Sequence, residues 1–152
     1  FGGMDEAIAK AAELAKLQAD PSLIPLFVEE AIRWTTPVKH FMRTATEDTV
    51  VGGKTIRRGD GLCLFYLSGN RDEAVFEAAD RFVADRNPNP HVSFGHGVHL
   101  CLGMHLARLE LRILFEELLP KIAALELTGE PKLSYANFVN GLKTLPVRVK
   151  WA

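Results

Sequence analysis

The sequence predicts a mainly helical domain with small antiparallel β-sheets, and three features carry this prediction. Apolar side chains recur at helical spacing over 102–119, β-rich runs broken by glycine pairs fill 38–67, and Ala, Glu and Lys dominate 4–19. The 152 residues, with 47% hydrophobic and 24% charged residues and a net charge of −1, suit one globular domain. We expect neither nucleic acid nor a membrane as partner, because the chain has no basic run and no apolar stretch of about 18 residues.

Turn residues and prolines separate the predicted elements, since proline ends a helix and Gly, Asn and Asp favour turns. In chain order, the prediction is a helix over 4–19, a helix over 22–34, a small sheet over 38–67, a short helix over 70–82, a loop over 84–92, a glycine-rich loop over 94–103, a long helix over 102–119 and short extended pieces from about Leu133. The nearly idealised composition of 4–19 suggests a surface helix or an engineered one.

The chain begins with Phe1-Gly2-Gly3 where an initiator Met would stand, so we expect part of a longer protein or an engineered one. Its two cysteines, Cys63 and Cys101, lie far apart in sequence and form no Cys-x-x-Cys pair. We therefore expect no disulfide framework and a reducing, cytoplasmic location.

The segment FGHGVHLCLG, residues 94–103, carries the strongest chemical signal. Gly95, Gly97 and Gly103 remove side chains around Cys101, which lets the backbone approach a bulky group. Cys101 also stands where the long helix is predicted to begin, and the free N–H groups and positive dipole end of a helix favour a thiolate. This setting indicates a metal ligand or a nucleophile rather than a buried apolar thiol.

Three chemistries compete for Cys101. A zinc site would use four ligands from one short segment, whereas structural zinc takes ligand pairs from two separated segments. Its ligands would be His96, His99, Cys101 and His105. A cysteine nucleophile would take His99 as its base. A single thiolate on haem iron needs one cysteine, close backbone approach and an aromatic neighbour, and Phe94 supplies the last.

Helical geometry singles out the pair Glu30 and Arg33. At 100° per residue, Glu30 falls inside the apolar arc of the helix over 22–34, and Arg33 lies beside that arc. A solvated pair at this spacing contributes only about 0.3 kcal/mol. The apolar arc favours burial instead, where removing one partner costs about 3–5 kcal/mol.

Three segments resemble signatures of the cytochrome P450 family, in the order in which the family has them. FGHGVHLCLG resembles its haem-binding loop, Phe-x-x-Gly-x-x-x-Cys-x-Gly. Glu30-Ala31-Ile32-Arg33 resembles its Glu-x-x-Arg helix, and Asp80-Arg81-Phe82 resembles the segment that supplies the third member of that charge network. The resemblance covers Leu17 to Trp151 and is greatest to bacterial soluble members, including terpene-alcohol hydroxylases.

The resemblance implies the C-terminal part of the cytochrome P450 fold and haem b (iron protoporphyrin IX) as cofactor, with Cys101 as the axial ligand of iron. It assigns cofactor binding to Arg43, Phe94, Gly95, Gly97, His99 and Gly103, with Arg43 and His99 at the haem propionates. It assigns a structural charge network to Glu30, Arg33 and Arg81, and contact with substrate to Pro37, Val38, Phe138 and Val139.

The activity that the resemblance implies is insertion of one oxygen atom from dioxygen into a small lipophilic, terpenoid-like substrate. The implied partners are a ferredoxin-type electron donor and a missing N-terminal portion, because family members are far longer. Their central helix with an acid–alcohol pair for proton delivery has no counterpart in this sequence. A truncated or engineered haem-binding module without native turnover is therefore the alternative, and a zinc or cysteine-nucleophile domain is the third hypothesis.

Overall fold

The computed structural model describes residues 11–152, so the part of the predicted first helix before Ala11 lies outside the described residues. Helices α1 to α4 span Ala11–Ala19, Ile24–Thr35, Tyr66–Gly69 and Met104–Leu118. Strands β1 to β8 span His40–Thr44, Thr49–Val51, Lys54–Ile56, Gly61–Phe65, Ile122–Leu127, Lys132–Leu133, Leu142–Thr144 and Val147–Trp151. In this part of the chain, no helix has the length and apolar character needed to cross a membrane.

The described strands form antiparallel pairs rather than one larger sheet. The segment 38–67 contains two such ribbons, β1 with β4 and β2 with β3. After α4, β5 pairs with β8 and β6 with β7. Strand β5 is absent from the sequence prediction, which placed no element between the long helix over 102–119 and the extended pieces from about Leu133. Pro120 ends the helical stretch there, and the chain continues as a strand paired with β8.

The core lies between α2 and α4. The ring of Phe27 on α2 meets the rings of Phe82 and Phe115 edge-on, with centroids 5.7 and 4.7 Å apart. Leu17 of α1 and Leu119, which follows α4, are buried in the same cluster. This packing holds α2 against α4, and the two helices flank the glycine-rich loop.

The prediction of a short helix over 70–82 is wrong. The helical turn precedes it, at α3, and residues 71–81 form successive turns. The carbonyl groups of Asn70, Ala79 and Arg81, which a helix would use internally, accept hydrogen bonds from the guanidinium of Arg33. Ala78 also adopts a left-handed conformation with φ +47°, which a regular helix does not allow.

Candidate functional site

A short chain of backbone hydrogen bonds shapes the loop 94–103. The N–H of Cys101 donates to the carbonyl of Phe94 over 2.9 Å, which closes the loop on itself. The N–H of Leu100 donates to Gly97 over 3.0 Å, and that of Met104 donates to Cys101 over 3.3 Å. Gly103 is the N-cap residue of α4, which begins at Met104. Cys101 therefore lies two residues before the cap, and its thiol is exposed.

The loop glycines have different roles. Gly95 has φ +77°, and a Cβ there would lie 3.1 Å from the His99 carbonyl oxygen and 3.3 Å from the Tyr66 hydroxyl. Gly97 has φ +65° but faces open space. Gly95 is thus needed both for its backbone conformation and for close packing inside the loop, whereas Gly97 is needed for conformation alone.

A cavity of about 430 Å³ lies beside the thiol. It brings together many of the predicted site residues: Pro37, Val38, Arg43, Phe94, Gly95, His99 and Cys101. Ile32, Phe41, Ala107 and Leu111 add apolar surface. Phe138 contacts the cavity residue Phe41, with the two ring centroids 5.3 Å apart. Val139 forms an antiparallel β-bridge with Val38. Gly97 and Gly103 shape the loop without lining the cavity.

Arg43 is the arginine whose cationic side chain lines this cavity. Its Nη1 donates to the Met42 carbonyl over 2.8 Å, and its guanidinium lies 5.8 Å from the Phe41 ring centroid. Within the described residues no carboxylate pairs with it. Arg43 and His99 also line an adjoining hollow of about 550 Å³, together with His96 and Tyr66. Free guanidinium donors beside an apolar cavity suit a carboxylate of a ligand.

The donor set fits a haem group better than a zinc ion. Between residues 11 and 152, no three His, Cys, Asp or Glu side chains are close enough together to hold a metal ion. The four-ligand zinc site on His96, His99, Cys101 and His105 therefore lacks the geometry it needs. A haem needs one thiolate, an apolar slot and cations for its carboxylates, and the cavity offers these through Cys101, its apolar walls and Arg43.

The buried charge network lies behind the loop. Glu30 and Arg33 are both 0% exposed, and the Nε and Nη2 of Arg33 donate to the two oxygens of Glu30 over 2.7 and 2.8 Å. The Nε of Arg86 donates to the same carboxylate over 3.0 Å. Arg33 and Arg86 lie 5.1 and 5.9 Å from the ring centroid of Phe76.

The prediction that the side chain of Arg81 belongs to this network is wrong. Arg81 is exposed, and it takes part through its carbonyl, which accepts from Arg33 over 3.0 Å and from Arg86 over 3.1 Å. The guanidinium comes from Arg86, which is 8% exposed. The turn at 78–81 presents its carbonyl groups to the two buried guanidinium groups, while the side chain of Arg81 remains exposed.

Asn70 links the network to the loop and was not singled out from the sequence. Its Nδ2 donates to Thr36 Oγ1 over 2.9 Å and to Ser93 Oγ over 2.8 Å. Its Oδ1 accepts from the N–H of Val92 over 2.8 Å, and its carbonyl accepts from Arg33 over 2.6 Å. A lone asparagine before a charged turn carries no sequence signal of burial, so neither periodicity nor motif could have found it.

A family model described as "Cytochrome P450" matches residues 6–151. The chain belongs to the cytochrome P450 family. Among curated relatives, it is 56% identical over 136 residues to cytochrome P450-terp of a Pseudomonas species, covering 90% of this chain and 32% of the relative. It is 45% identical over 131 residues to linalool 8-monooxygenase of Pseudomonas putida, covering 86% of this chain and 32% of the relative.

Solved structures agree with the family assignment. The crystal structure of CYP108D1 from Novosphingobium aromaticivorans superposes with a TM-score of 0.93 at 48% identity, over 99% of this chain and 37% of that one. The P450 fold predicted from the sequence is therefore confirmed. The chain spans about a third of the length of the curated relatives it matches, at 32% and 37% for the first two.

Proposed function

We propose that the full protein is a haem-thiolate monooxygenase, of which this chain is the portion that would supply the thiolate ligand to haem b. It would insert one oxygen atom from dioxygen into a small lipophilic substrate. The observation that carries this proposal is the exposed Cys101 thiol at one wall of an apolar cavity that the guanidinium of Arg43 also lines. We expect a cytoplasmic location, in keeping with two unbridged cysteines.

The residues of this chain have distinct roles in that site. Cys101 would bind the haem iron through its thiolate, and Arg43 and His99 would bind the haem propionates. Gly97, with φ +65°, lets the loop turn, and Gly103 caps α4 just after Cys101. When bound, a haem with a thiolate ligand supplies the electron density that favours O–O cleavage.

The loop and the network would keep the thiolate in place. Phe94 packs beside the cavity, and its carbonyl receives the N–H of Cys101 over 2.9 Å. A ligand thiolate held by backbone hydrogen bonds and apolar neighbours has its basicity and its access to water set by those neighbours. The buried Glu30–Arg33–Arg86 cluster ties the turns that precede the loop to α2.

We propose a terpenoid substrate and a ferredoxin-type electron donor for the full protein. Support for the substrate class comes from the names of two relatives, cytochrome P450-terp and linalool 8-monooxygenase. Pro37 and Val38 on this chain line the cavity, and Phe138 and Val139 stand next to them. These four apolar residues would form the part of the substrate wall that this chain supplies.

The test compares the two cysteines in the full-length, haem-loaded protein. Cys101→Ser should abolish the Soret position typical of thiolate ligation in the reduced, carbon monoxide-bound state. Cys63→Ser is the matched control, because Cys63 is also exposed but lies on β4, opposite Met42. It should leave the spectrum intact. Loss of the thiolate-type band in the Cys63 variant alone would overturn the proposal.

A further inference from the structure

A second ionic cluster joins α2 to α4 beside the cysteine loop, apart from the Glu30 network. The guanidinium of Arg108 on α4 binds both oxygens of Glu29, with Nε–Oε1 at 2.6 Å and Nη2–Oε2 at 2.8 Å. His91 Nε2 lies 3.0 Å from Glu29 Oε2. Glu29 thus faces α4, whereas its neighbour Glu30 is buried in the other cluster.

His91 is the buried member of this cluster, with its side chain 2% exposed. The backbone N–H of Ser93 donates to His91 Nδ1 over 3.3 Å, so Nε2 carries the proton that is donated to Glu29. The imidazole therefore connects the chain just before the loop to the carboxylate on α2. Both ring nitrogens are occupied, which fixes the orientation of the ring.

The cluster holds one face of Phe94. The Arg108 guanidinium carbon lies 4.7 Å from the centroid of the Phe94 ring, within the range of a cation–π contact. The His91 ring centroid lies 5.9 Å from the same ring. Because Glu29 binds Arg108 through two parallel hydrogen bonds, the guanidinium plane has little freedom to leave the ring.

Phe94 carries this constraint to Cys101. Its carbonyl accepts the N–H of Cys101 over 2.9 Å, so a shift of the Phe94 residue moves the hydrogen bond that closes the loop. None of the three cluster residues lines the cavity next to Cys101. Their influence on the thiol must therefore pass through Phe94 and the loop backbone.

We propose that Glu29, His91 and Arg108 are positioning residues, which fix the Phe94 ring and thereby hold the Cys101 thiolate in its ligating position. This proposal rests on the proposed haem-thiolate function. A carboxylate, an imidazole and a guanidinium act together here, and the guanidinium is the member that touches the aromatic ring.

The experiment uses the full-length, haem-loaded protein with Glu29→Gln, Arg108→Gln and Arg108→Lys. The matched control is Arg112→Gln, because Arg112 lies on the same helix in a half-exposed pair with Glu116 at 3.4 Å. Three quantities are measured: the fraction of the reduced, carbon monoxide-bound protein with the thiolate-type Soret band, the rate of haem loss to an acceptor protein, and Tm. The last separates loss of ligation from loss of folding.

Glu29→Gln and Arg108→Gln should each lower the thiolate-type fraction at temperatures well below Tm and raise the rate of haem loss about tenfold, equivalent to 1.4 kcal/mol. Arg112→Gln should change neither quantity. Arg108→Lys keeps the charge but not the two parallel bonds, so it should fall between wild type and Arg108→Gln. In a Phe94→Leu background, Arg108→Gln should have little further effect on haem loss, because the ring it acts on has been removed.

The inference is overturned if Glu29→Gln and Arg108→Gln leave both the spectrum and the rate of haem loss as in Arg112→Gln. It is also overturned if the effects of Arg108→Gln and Phe94→Leu simply add. Failure of the proposed function gives a different result, since the wild-type protein would then lack the thiolate-type band altogether.

Discussion

The single carboxylate of Glu30 forms ion pairs with two buried guanidinium groups. It accepts from Arg33 and Arg86, and also from the N–H of Val83 over 2.9 Å and the Nδ2 of Asn89 over 3.1 Å. The excess positive charge is met by backbone carbonyls, since Arg86 also donates to the carbonyls of Glu77 and Ala78 over 2.6 and 3.1 Å. A buried ion cluster is stable only when its charges are paired and further hydrogen bonds support them, as the carboxylate and the carbonyls do here.

The structure predicts a large loss of stability on substitution of Arg86 and almost none on substitution of the nearby Arg81. Arg86→Ala should lower the free energy of unfolding by about 3–5 kcal/mol, because it removes a buried donor from Glu30 and from the turn carbonyls. Arg81→Ala should change it by about 0.5 kcal/mol or less, because the exposed side chain is lost and the carbonyl remains. Denaturant titration of the two variants measures both values. Equal losses would mean that the Arg81 side chain shares the network after all.

At the level of elements, the regular patterns were predictable and the arginine-bound turns were not. The helical period of 102–119 and the apolar arc over 22–34 correspond to α4 and α2, and the cysteine motif marks the loop between the sheets and α4. Residues 71–81 have a helix-forming composition, yet their carbonyls bind Arg33 and Arg86. Such long-range bonds override local propensity, and no short window of sequence contains them.

The cluster between α2 and α4 predicts a specific acid sensitivity. Burial alone would raise the pKa of Glu29, but hydrogen bonds from His91 and Arg108 lower it from 4.5 to about 2. The lowered pKa contributes stability that is fully present above pH 4.5 and is lost as the pH falls towards 2. His105 and Arg112 line the groove around Glu29 as well.

Glu29→Gln should therefore flatten the dependence of stability on pH between about 4.5 and 2. The measurement is the free energy of unfolding at several pH values in wild type and variant. Glu116→Gln, in the half-exposed pair with Arg112, is the control and should retain the wild-type slope. A variant that loses stability with acid as steeply as wild type would show that Glu29 is not the responsible group.

On the scale of the whole molecule, an apolar stripe that begins at the end of the cysteine loop and continues along α4 is exposed in the described part of the chain. Leu102, Leu106, Leu109 and Ile113 recur at helical spacing and are exposed, and Leu102 is 99% exposed. The opposite face of α4 buries Phe115 in the core. Exposed apolar stripes of this kind are typical of surfaces that other protein covers.

The isolated 152-residue chain should bind a hydrophobic dye and self-associate, whereas the full-length protein should do neither. Leu106→Gln combined with Ile113→Gln should reduce dye binding by the isolated chain. In the full-length protein the same pair should lower the free energy of unfolding by about 2–5 kcal/mol, because covered apolar side chains are lost. Dye fluorescence, sedimentation and denaturant titration measure these effects. An isolated chain that remains monomeric and dye-free would contradict the expectation.

Asn70 has a consequence for the order in which the molecule assembles. Its hydrogen bonds connect α2, the turn after α3 and the chain before the cysteine loop, which are separated by 34 and 23 residues along the sequence. Contacts that close long loops form after local ones, because they require most of the chain entropy to be lost first. We therefore expect the loop that presents Cys101 to reach its final shape late, once the chain around Asn70 has closed onto α2. On this expectation, the thiol becomes competent as a ligand only in a chain that has almost completed folding.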